Sequence, residues 1–190
     1  MLNLPNLLTM SRIMIIPLVV ATFFFDSTTM RWIACALFTL AGVTDFFDGY
    51  LARRANQVSS LGRFLDPIAD KLLVASVLLM IVAFGRVGPW SYLPALVIMQ
   101  REIMVSGLRE FLAELHVSVP VTKLAKAKTT VQMIALGFLI VGSHSPEWIP
   151  AERIGEIGIW IAAAITLITG YDYLKAGVRY MAGNPPPAGS

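Results

Sequence analysis

The sequence predicts an all-α integral membrane protein with six transmembrane helices, from its composition, its apolar stretches and the placement of its charges. Of the 190 residues, 56% are hydrophobic and only 14% are charged, whereas about 25% of residues are charged in a soluble domain. Because the shortage of charge extends along the whole chain, it favours a polytopic membrane protein over a soluble domain with one anchor. The net charge of +3 does not indicate a nucleic-acid partner, since Lys and Arg in membrane proteins report orientation and contact with anionic lipids.

Six apolar stretches follow one another along the chain, separated by turn signals such as DSTT, GRVGP and SHSPEWIP. They are residues 13–25, 32–43, 72–84, 93–99, 131–142 and 157–170. Each is shorter than the ~20 residues that cross a bilayer, so a helix that spans the bilayer must also include polar residues at one end of the stretch. The segment before the first stretch is expected to form a short interfacial helix that leads into the first span.

The basic residues are distributed unevenly between the two sides of such a bundle. If the helices alternate in direction, all 15 Lys and Arg residues except Arg31, Arg86 and Arg153 fall on one side. This positive-inside pattern predicts that both termini are cytoplasmic and that a polar cavity opens to the cytoplasm. We expect one six-helix transmembrane domain over residues 1–182 and a flexible Pro- and Gly-rich tail over 183–190.

Four aspartates lie beside apolar stretches, in the segments TDFFDGYLARR and GRFLDPIADKLL. An isolated charge at the bilayer centre costs about 3 kcal/mol on insertion scales, so these carboxylates must line a wet cavity, pair with bases or bind cations. At ~100° per residue, Asp45 and Asp48 lie about 60° apart on one helix, and Asp66 and Asp70 about 40° apart on the next. Oxygen ligands from two facing helices suit hard divalent ions such as Mg²⁺ or Mn²⁺.

Other candidate ligands for a metal are few in this sequence. The two histidines, His116 and His144, are expected to be surface or structural residues. The single cysteine, Cys35, lies in an apolar run and is expected to face lipid or to pack in the core, without a disulfide partner. The aspartates are therefore the main candidates for metal ligation.

Small residues accompany the aspartates, and they have two interpretations. Gly49, Ala52 and Gly62 allow a ligand or a helix backbone to approach closely, and the same residues also serve ordinary helix packing. Arg53 places a cation beside the aspartates, where a bound phosphate would need one.

The spacing of these residues resembles the signature of the CDP-alcohol phosphatidyltransferase family. The eight matching positions are Asp45, Asp48, Gly49, Ala52, Arg53, Gly62, Asp66 and Asp70. The resemblance implies the six-helix CDP-alcohol phosphotransferase fold, usually as a homodimer, and two divalent metal ions on the cytoplasmic side. It also implies transfer of a phosphatidyl or similar group from a CDP-linked donor to an alcohol, with release of CMP.

The resemblance also implies a role for each of these positions. The four aspartates would surround the two metal ions, Mg²⁺ or Mn²⁺, with Asp70 also acting as the general base. Asp48, Gly49, Ala52, Arg53 and Gly62 would bind or admit the donor nucleotide. A cation transporter that uses the acids as an ion relay would need no small residues or arginine at these spacings, and an inert membrane scaffold would carry the cost of buried acids without benefit.

A second cluster of basic residues indicates which alcohol is the acceptor. It lies in REIMVSGLREF and KLAKAKTTVQM and comprises Arg101, Arg109, Lys123, Lys126 and Lys128. These cations either anchor the cytoplasmic ends of two helices or bind a phosphorylated acceptor. Arg101 lies deeper than anchoring needs, so either Glu102 or a ligand must balance its charge.

Both basic segments, and NLPNLLTMSRIMIIP near the N-terminus, resemble the bacterial members of the family that act in an inner (cytoplasmic) membrane on sn-glycerol 3-phosphate. The resemblance implies CDP-diacylglycerol as donor and phosphatidylglycerol phosphate as product. We expect Arg109 and Lys126 to bind the acceptor phosphate, with Arg101, Lys123 and Lys128 as further candidates. Inositol phosphate and phosphatidylglycerol remain alternative acceptors.

Overall fold

The computed structural model describes residues 4–55, 60–114 and 123–181, and side-chain surroundings for residues 10–44, 65, 68–113 and 124–180. Six α-helices and one short 3₁₀ turn account for nearly all of these residues, which contain no β-strand. The helices are α1 (Leu4–Thr22), α2 (Thr28–Ala55), α3 (Ser60–Ala83), α4 (Tyr92–Glu114), α5 (Lys123–Val141) and α6 (Ala151–Met181), and the 3₁₀ turn is Gly142–His144. The predicted all-α fold class is confirmed, while His116 and the tail at 183–190 lie outside the described residues.

The helices extend beyond the apolar stretches because their polar ends are helical as well. In the described residues, two segments are long and apolar enough to cross a membrane by length and composition, Leu124–His144 and Ala151–Tyr180. Met10–Thr22 is a shorter apolar helix, and helices α2, α3 and α4 each contain four or five charged residues. The count of six spans therefore stays a prediction.

The N-terminal segment differs from the expected separate interfacial helix. The structure shows one continuous helix, α1, that runs from Leu4 in this segment to Thr22 in the first apolar stretch. No turn residue separates the two parts, since Pro5 lies in the first turn, where a proline is tolerated. Pro17 lies inside α1 without ending it.

Helix α6 packs against α4 and α5, while α1 packs against α2 and α3, and α2 also contacts α5. Small residues bring α5 and α6 close together. A Cβ atom added to Gly155 would lie 2.6 Å from Cγ of Leu139, and one added to Gly158 would lie 2.7 Å from Cβ of Ala135. Close contact between small residues is the usual source of helix association in lipid.

Two of the three basic residues predicted for the opposite side lie together at the C-terminal end of α5. Arg31 donates to the carbonyl oxygen of Val141 at 3.3 Å, and Arg86 donates to that of Ile140 at 3.1 Å. Burial lowers the pKa of Arg86 to about 10, so its guanidinium remains charged at neutral pH. Both side chains donate hydrogen bonds to carbonyl groups in the last turn of α5, where carbonyl groups have no hydrogen-bond donor within the helix.

Candidate active site

The acidic motif is divided between two consecutive helices, as its spacing predicts. Helix α2 is continuous through Asp45 and Asp48, and α3 is continuous through Asp66 and Asp70. The members of each pair therefore lie about one turn apart on the same helix. The side chains of seven motif residues lie outside the described ones, namely those of Asp45, Asp48, Gly49, Ala52, Arg53, Gly62 and Asp66.

Asp70 is the motif aspartate whose side chain the structure describes, and it forms an ion pair with Arg12. Nη1 of Arg12 donates to Oδ1 of Asp70 at 2.7 Å. The Arg12 side chain is fully buried, whereas that of Asp70 is 45% exposed. This pair ties α1 to α3 and fixes the orientation of the carboxylate.

The role of Arg12 was not predicted from the sequence, where it counted only as one basic residue among many. The available signal was its position at the start of an apolar stretch. A cation there requires a counter-charge. Its partner is 58 residues further along the chain, and local spacing does not reveal a contact at that separation.

The chemistry of the donor set fits divalent metal ions. Carboxylate oxygens from successive turns of two helices are the ligands that Mg²⁺ and Mn²⁺ prefer, and the Asp70 carboxylate is accessible. No group of three or more His, Cys, Asp or Glu comes together among the side chains the structure describes. Because three of the four aspartates lie outside them, the two-metal site stays a prediction.

A cavity of about 390 Å³ lies among helices α3, α4, α5 and α6 and brings together part of the predicted basic cluster. Arg101, Arg109 and Lys128 line it, and so does Lys71, which follows Asp70 directly. Lys71 donates a hydrogen bond to Ser106 across the cavity. Lys126 is exposed and does not line the cavity, and the side chain of Lys123 lies outside the described residues.

Arg101 and Lys128 are held by internal partners. Nη2 of Arg101 donates to Oγ1 of Thr169 at 2.8 Å, and the guanidinium lies 5.6 Å from the ring centroid of Tyr173. Nη1 of Arg101 is 3.6 Å from Oε1 of Glu102, and Lys128 forms an ion pair with the same carboxylate. Glu102 therefore supplies the counter-charge for Arg101, and α6 holds its guanidinium in place. The sequence does not reveal Thr169 and Tyr173 as partners because they are distant from Arg101 in the chain.

Arg109 has different surroundings in the same cavity. It is exposed, and it forms no ion pair with any residue in the described part of the chain. Arg109 is therefore the cation of this cavity best able to meet a soluble anion.

Comparison with known proteins identifies the class to which this helical bundle and its acidic motif belong. The family model for CDP-alcohol phosphatidyltransferase matches residues 2–168. The chain belongs to the CDP-alcohol phosphatidyltransferase family.

Its relatives carry a more specific name. A protein of Rickettsia bellii is 52% identical over 178 residues, covering 94% of this chain and 97% of its own length. A protein of Cereibacter sphaeroides is 40% identical, with 94% and 97% covered, and one of Shigella flexneri is 41% identical, with 92% and 94% covered. All three are named CDP-diacylglycerol–glycerol-3-phosphate 3-phosphatidyltransferase.

Proposed function

We propose that this protein transfers the phosphatidyl group of CDP-diacylglycerol to sn-glycerol 3-phosphate, giving phosphatidylglycerol phosphate and CMP. The observation that carries the proposal is similarity over almost the whole length to enzymes of that name, at 40–52% identity. The intact motif of eight residues supports it.

The proposed arrangement in the membrane is a single domain over residues 1–182 with six spans in a bacterial inner membrane. Both termini and the active site face the cytoplasm, and the protein acts as a homodimer. The charge asymmetry of the chain supports this orientation. Arg31 and Arg86 both contact the C-terminal end of α5. These contacts support an arrangement in which the two arginines lie at one end of the bundle, opposite to the end that carries the acidic motif.

On the donor side, Asp45, Asp48, Asp66 and Asp70 would hold two Mg²⁺ or Mn²⁺ ions. When bound, the ions supply positive charge that neutralises the diphosphate and stabilises the departing CMP. Arg53 would pair with a donor phosphate. Gly49, Ala52 and Gly62 would leave room for the cytidine nucleotide beside the helix backbones.

Asp70 is the proposed general base for the acceptor. One oxygen of its carboxylate takes the proton of the attacking hydroxyl group of glycerol 3-phosphate, while Arg12 holds the carboxylate in place through Oδ1. Lys71, the next residue, lines the cavity that would receive the acceptor. Adjacency of Asp70 and Lys71 along α3 supports this role for Asp70.

The acceptor phosphate would be bound in that cavity, chiefly by Arg109, whose planar guanidinium can form two hydrogen bonds with a phosphate. Lys126 and Lys123 on α5 remain proposed phosphate ligands from neighbouring positions. Arg101 and Lys128, paired with Glu102, contribute the positive potential of the cavity.

The decisive experiment measures CMP release by purified protein supplied with CDP-diacylglycerol and Mg²⁺ or Mn²⁺. Addition of glycerol 3-phosphate is expected to start the release, whereas glycerol, inositol phosphate and phosphatidylglycerol are not. Asp70→Asn is expected to lower the rate by a factor of about 10² to 10⁴, which is typical for loss of a general base. Asp172→Asn, which changes an exposed aspartate of α6, is the matched control. Release with another acceptor alone would overturn the assignment, and near-normal rates for Asp70→Asn would remove its role as base.

A further inference from the structure

A groove with a volume of about 620 Å³ lies between helices α2 and α5, and residues of α3 from Asp70 to Val74 also line it. Asp70 and Thr129 lie at one end, and Pro146 and Ile149, in the connection between α5 and α6, line the other. The groove follows α5 from Thr129 to Val141, which is about 18 Å at 1.5 Å per residue. This is close to the depth of one lipid leaflet, half of the ~30 Å hydrocarbon core.

The walls of the groove are apolar, which indicates that its occupant is a hydrocarbon chain. Phe38 on α2 and Met133 and Phe138 on α5 are among the large apolar side chains that line it. Near the end beside Asp70, the hydroxyl groups of Thr129 and Thr130 donate to carbonyl groups of their own helix, at 3.2 Å and 3.3 Å. These hydroxyl groups are therefore engaged within α5, as is common for such residues in helices.

The groove is continuous with the candidate site, and this continuity identifies the occupant. A donor with its diphosphate at the acidic motif has its diacylglycerol part attached at the same point. An acyl chain that leaves Asp70 along α5 enters the groove directly.

Gly137 keeps the far half of the groove open. A Cβ atom added to Gly137 would meet no atom within 4 Å, whereas one added to Gly42, across the groove, would lie 2.7 Å from Cε of Met133. Sγ of Cys35 lies 3.7 Å from the carbonyl oxygen of Gly137, so the two helices are close at this level. A larger side chain at position 137 would project into open space and not into the core.

We propose that the groove between α2 and α5 holds one acyl chain of the donor, and that Gly137 allows long chains by leaving the far half of the groove open. The proposal rests on the proposed function. Lipid tails are as apolar as the groove, so contact alone discriminates little between chains. Selectivity arises when the far part of a long chain is excluded from the groove. Carbons near the ester lie beside Met133, and only carbons further along the chain pass Gly137, which is about 12 Å from Thr129 along the helix.

The test compares Gly137→Leu with Gly107→Leu. Gly107 is an exposed helical glycine on α4, and a Cβ atom there also meets nothing within 4 Å. The measured quantity is the kcat/KM of CMP release from dioctanoyl and dipalmitoyl CDP-diacylglycerol in one detergent. Gly137→Leu is expected to lower the value for the dipalmitoyl donor about tenfold relative to the dioctanoyl donor, as for a pocket that loses a few methylene groups. Gly107→Leu is expected to leave the ratio unchanged.

Three outcomes would overturn the proposal. Wild-type kcat/KM values with both donors for Gly137→Leu would show that no acyl chain passes this residue. An equal loss with both donors would show that position 137 affects activity regardless of chain length. An unchanged ratio with a changed oligomeric state on size-exclusion chromatography would show that a second copy of the chain covers the groove.

Photolabelling of the wild-type protein is a second test of the proposal, and it requires neither a folded variant nor catalytic turnover. A dipalmitoyl donor with a diazirine at the end of one acyl chain is expected to label peptides containing residues 137–149 after illumination, and label confined to α4 or α6 would overturn the proposal. If the wild-type protein released no CMP from either donor with glycerol 3-phosphate, the proposed function would fail, and the labelling would still decide whether the groove binds the chain.

Discussion

At the scale of single residues, Arg101 and Arg109 have the same charge and opposite surroundings, although both line one cavity. The Arg101 side chain is 10% exposed and is paired with Glu102, while Thr169 and Tyr173 hold it from α6. Arg109 is exposed. The two residues were grouped by sequence because both are arginines at the end of one predicted helix.

We expect substitution of Arg109 to weaken binding of the acceptor and substitution of Arg101 to lower the stability of the fold. Arg109→Ala should raise the KM for glycerol 3-phosphate about tenfold or more, since a hydrogen bond to a charged group contributes about 1.5–3 kcal/mol. The KM for the donor and the Tm in detergent should stay close to those of the wild-type protein. Arg101→Ala should instead lower the free energy of unfolding by about 3 kcal/mol, because it breaks a buried charge network.

Steady-state kinetics with each substrate varied in turn, together with thermal unfolding, measure both effects. Arg101→Lys, which keeps the charge, controls for charge loss in the cavity. A raised KM for glycerol 3-phosphate in Arg101→Ala at unchanged Tm would reverse the two assignments.

At the scale of elements, the C-terminal end of α5 is held by two arginines from other parts of the bundle. One lies near the start of α2 and the other in the connection between α3 and α4. Arg31, at the start of α2, reaches the carbonyl group of Val141 and pairs with Asp26 at 2.8 Å. Arg86 reaches Ile140 and lies 4.2 Å from the ring centroid of Phe23. At this end of the bundle, charge-assisted hydrogen bonds from Arg31 and Arg86 to backbone carbonyl groups join other parts of the chain to α5, in addition to apolar packing.

Loss of one of these cations is expected to destabilise the bundle. Arg31→Ala should lower the free energy of unfolding by about 1–3 kcal/mol at pH 7, since it leaves a buried carbonyl group without its donor. Arg153→Ala, which removes an exposed arginine from the same end, should change it by less than about 0.5 kcal/mol. Thermal unfolding in detergent measures both variants.

The effect of Arg31→Ala should also depend on pH. The hydrogen bond from Arg31 holds the pKa of Asp26 below its ordinary value of 3.8. A carboxylate with a depressed pKa stabilises the folded state above its unfolded pKa of about 3.9, and this contribution is lost as the pH falls through the folded value. The difference in Tm between wild type and Arg31→Ala should therefore be smaller at pH 3 than at pH 7. An equal difference at both pH values would show that the Asp26 pair contributes nothing.

At the scale of the whole molecule, the charge asymmetry of the chain supports the proposed orientation. The connection before α6 lies at the end of the bundle with few basic residues, and the C-terminal end of α6 lies at the other. We predict that Glu147→Cys is labelled by a membrane-impermeant maleimide in cells with a permeable outer membrane, and that Arg179→Cys is labelled only after the inner membrane is opened. Both positions are exposed.

The wild-type chain is the control for this labelling because Cys35 is its one cysteine and lies within α2. The reverse pattern of labelling would invert the proposed topology. Labelling of both positions in unopened cells would show that α6 does not cross the membrane.

Local patterns in the sequence were sufficient to predict the helical class, the positions of the turns and the family. Helix formation and the spacing of Asp45, Asp48, Asp66 and Asp70 depend on neighbours three or four residues apart, and such local patterns are visible in one dimension. The apolar stretches predicted the helices but not their full bounds, because polar residues extend α2 and α3 beyond their apolar parts. The predicted interfacial helix is continuous with the helix of the first apolar stretch, because no local signal separates the two segments.

Which charges meet depends on the tertiary structure. Arg12 holds Asp70 across 58 residues, and Glu102 pairs with both Arg101 and Lys128, so two of the predicted phosphate ligands are engaged inside the protein. The groove beside Gly137 likewise exists only because α2 and α5 lie side by side. Pairing between distant helices depends on how side chains of several helices fill a common space, and the order of residues along one chain does not contain that information in readable form.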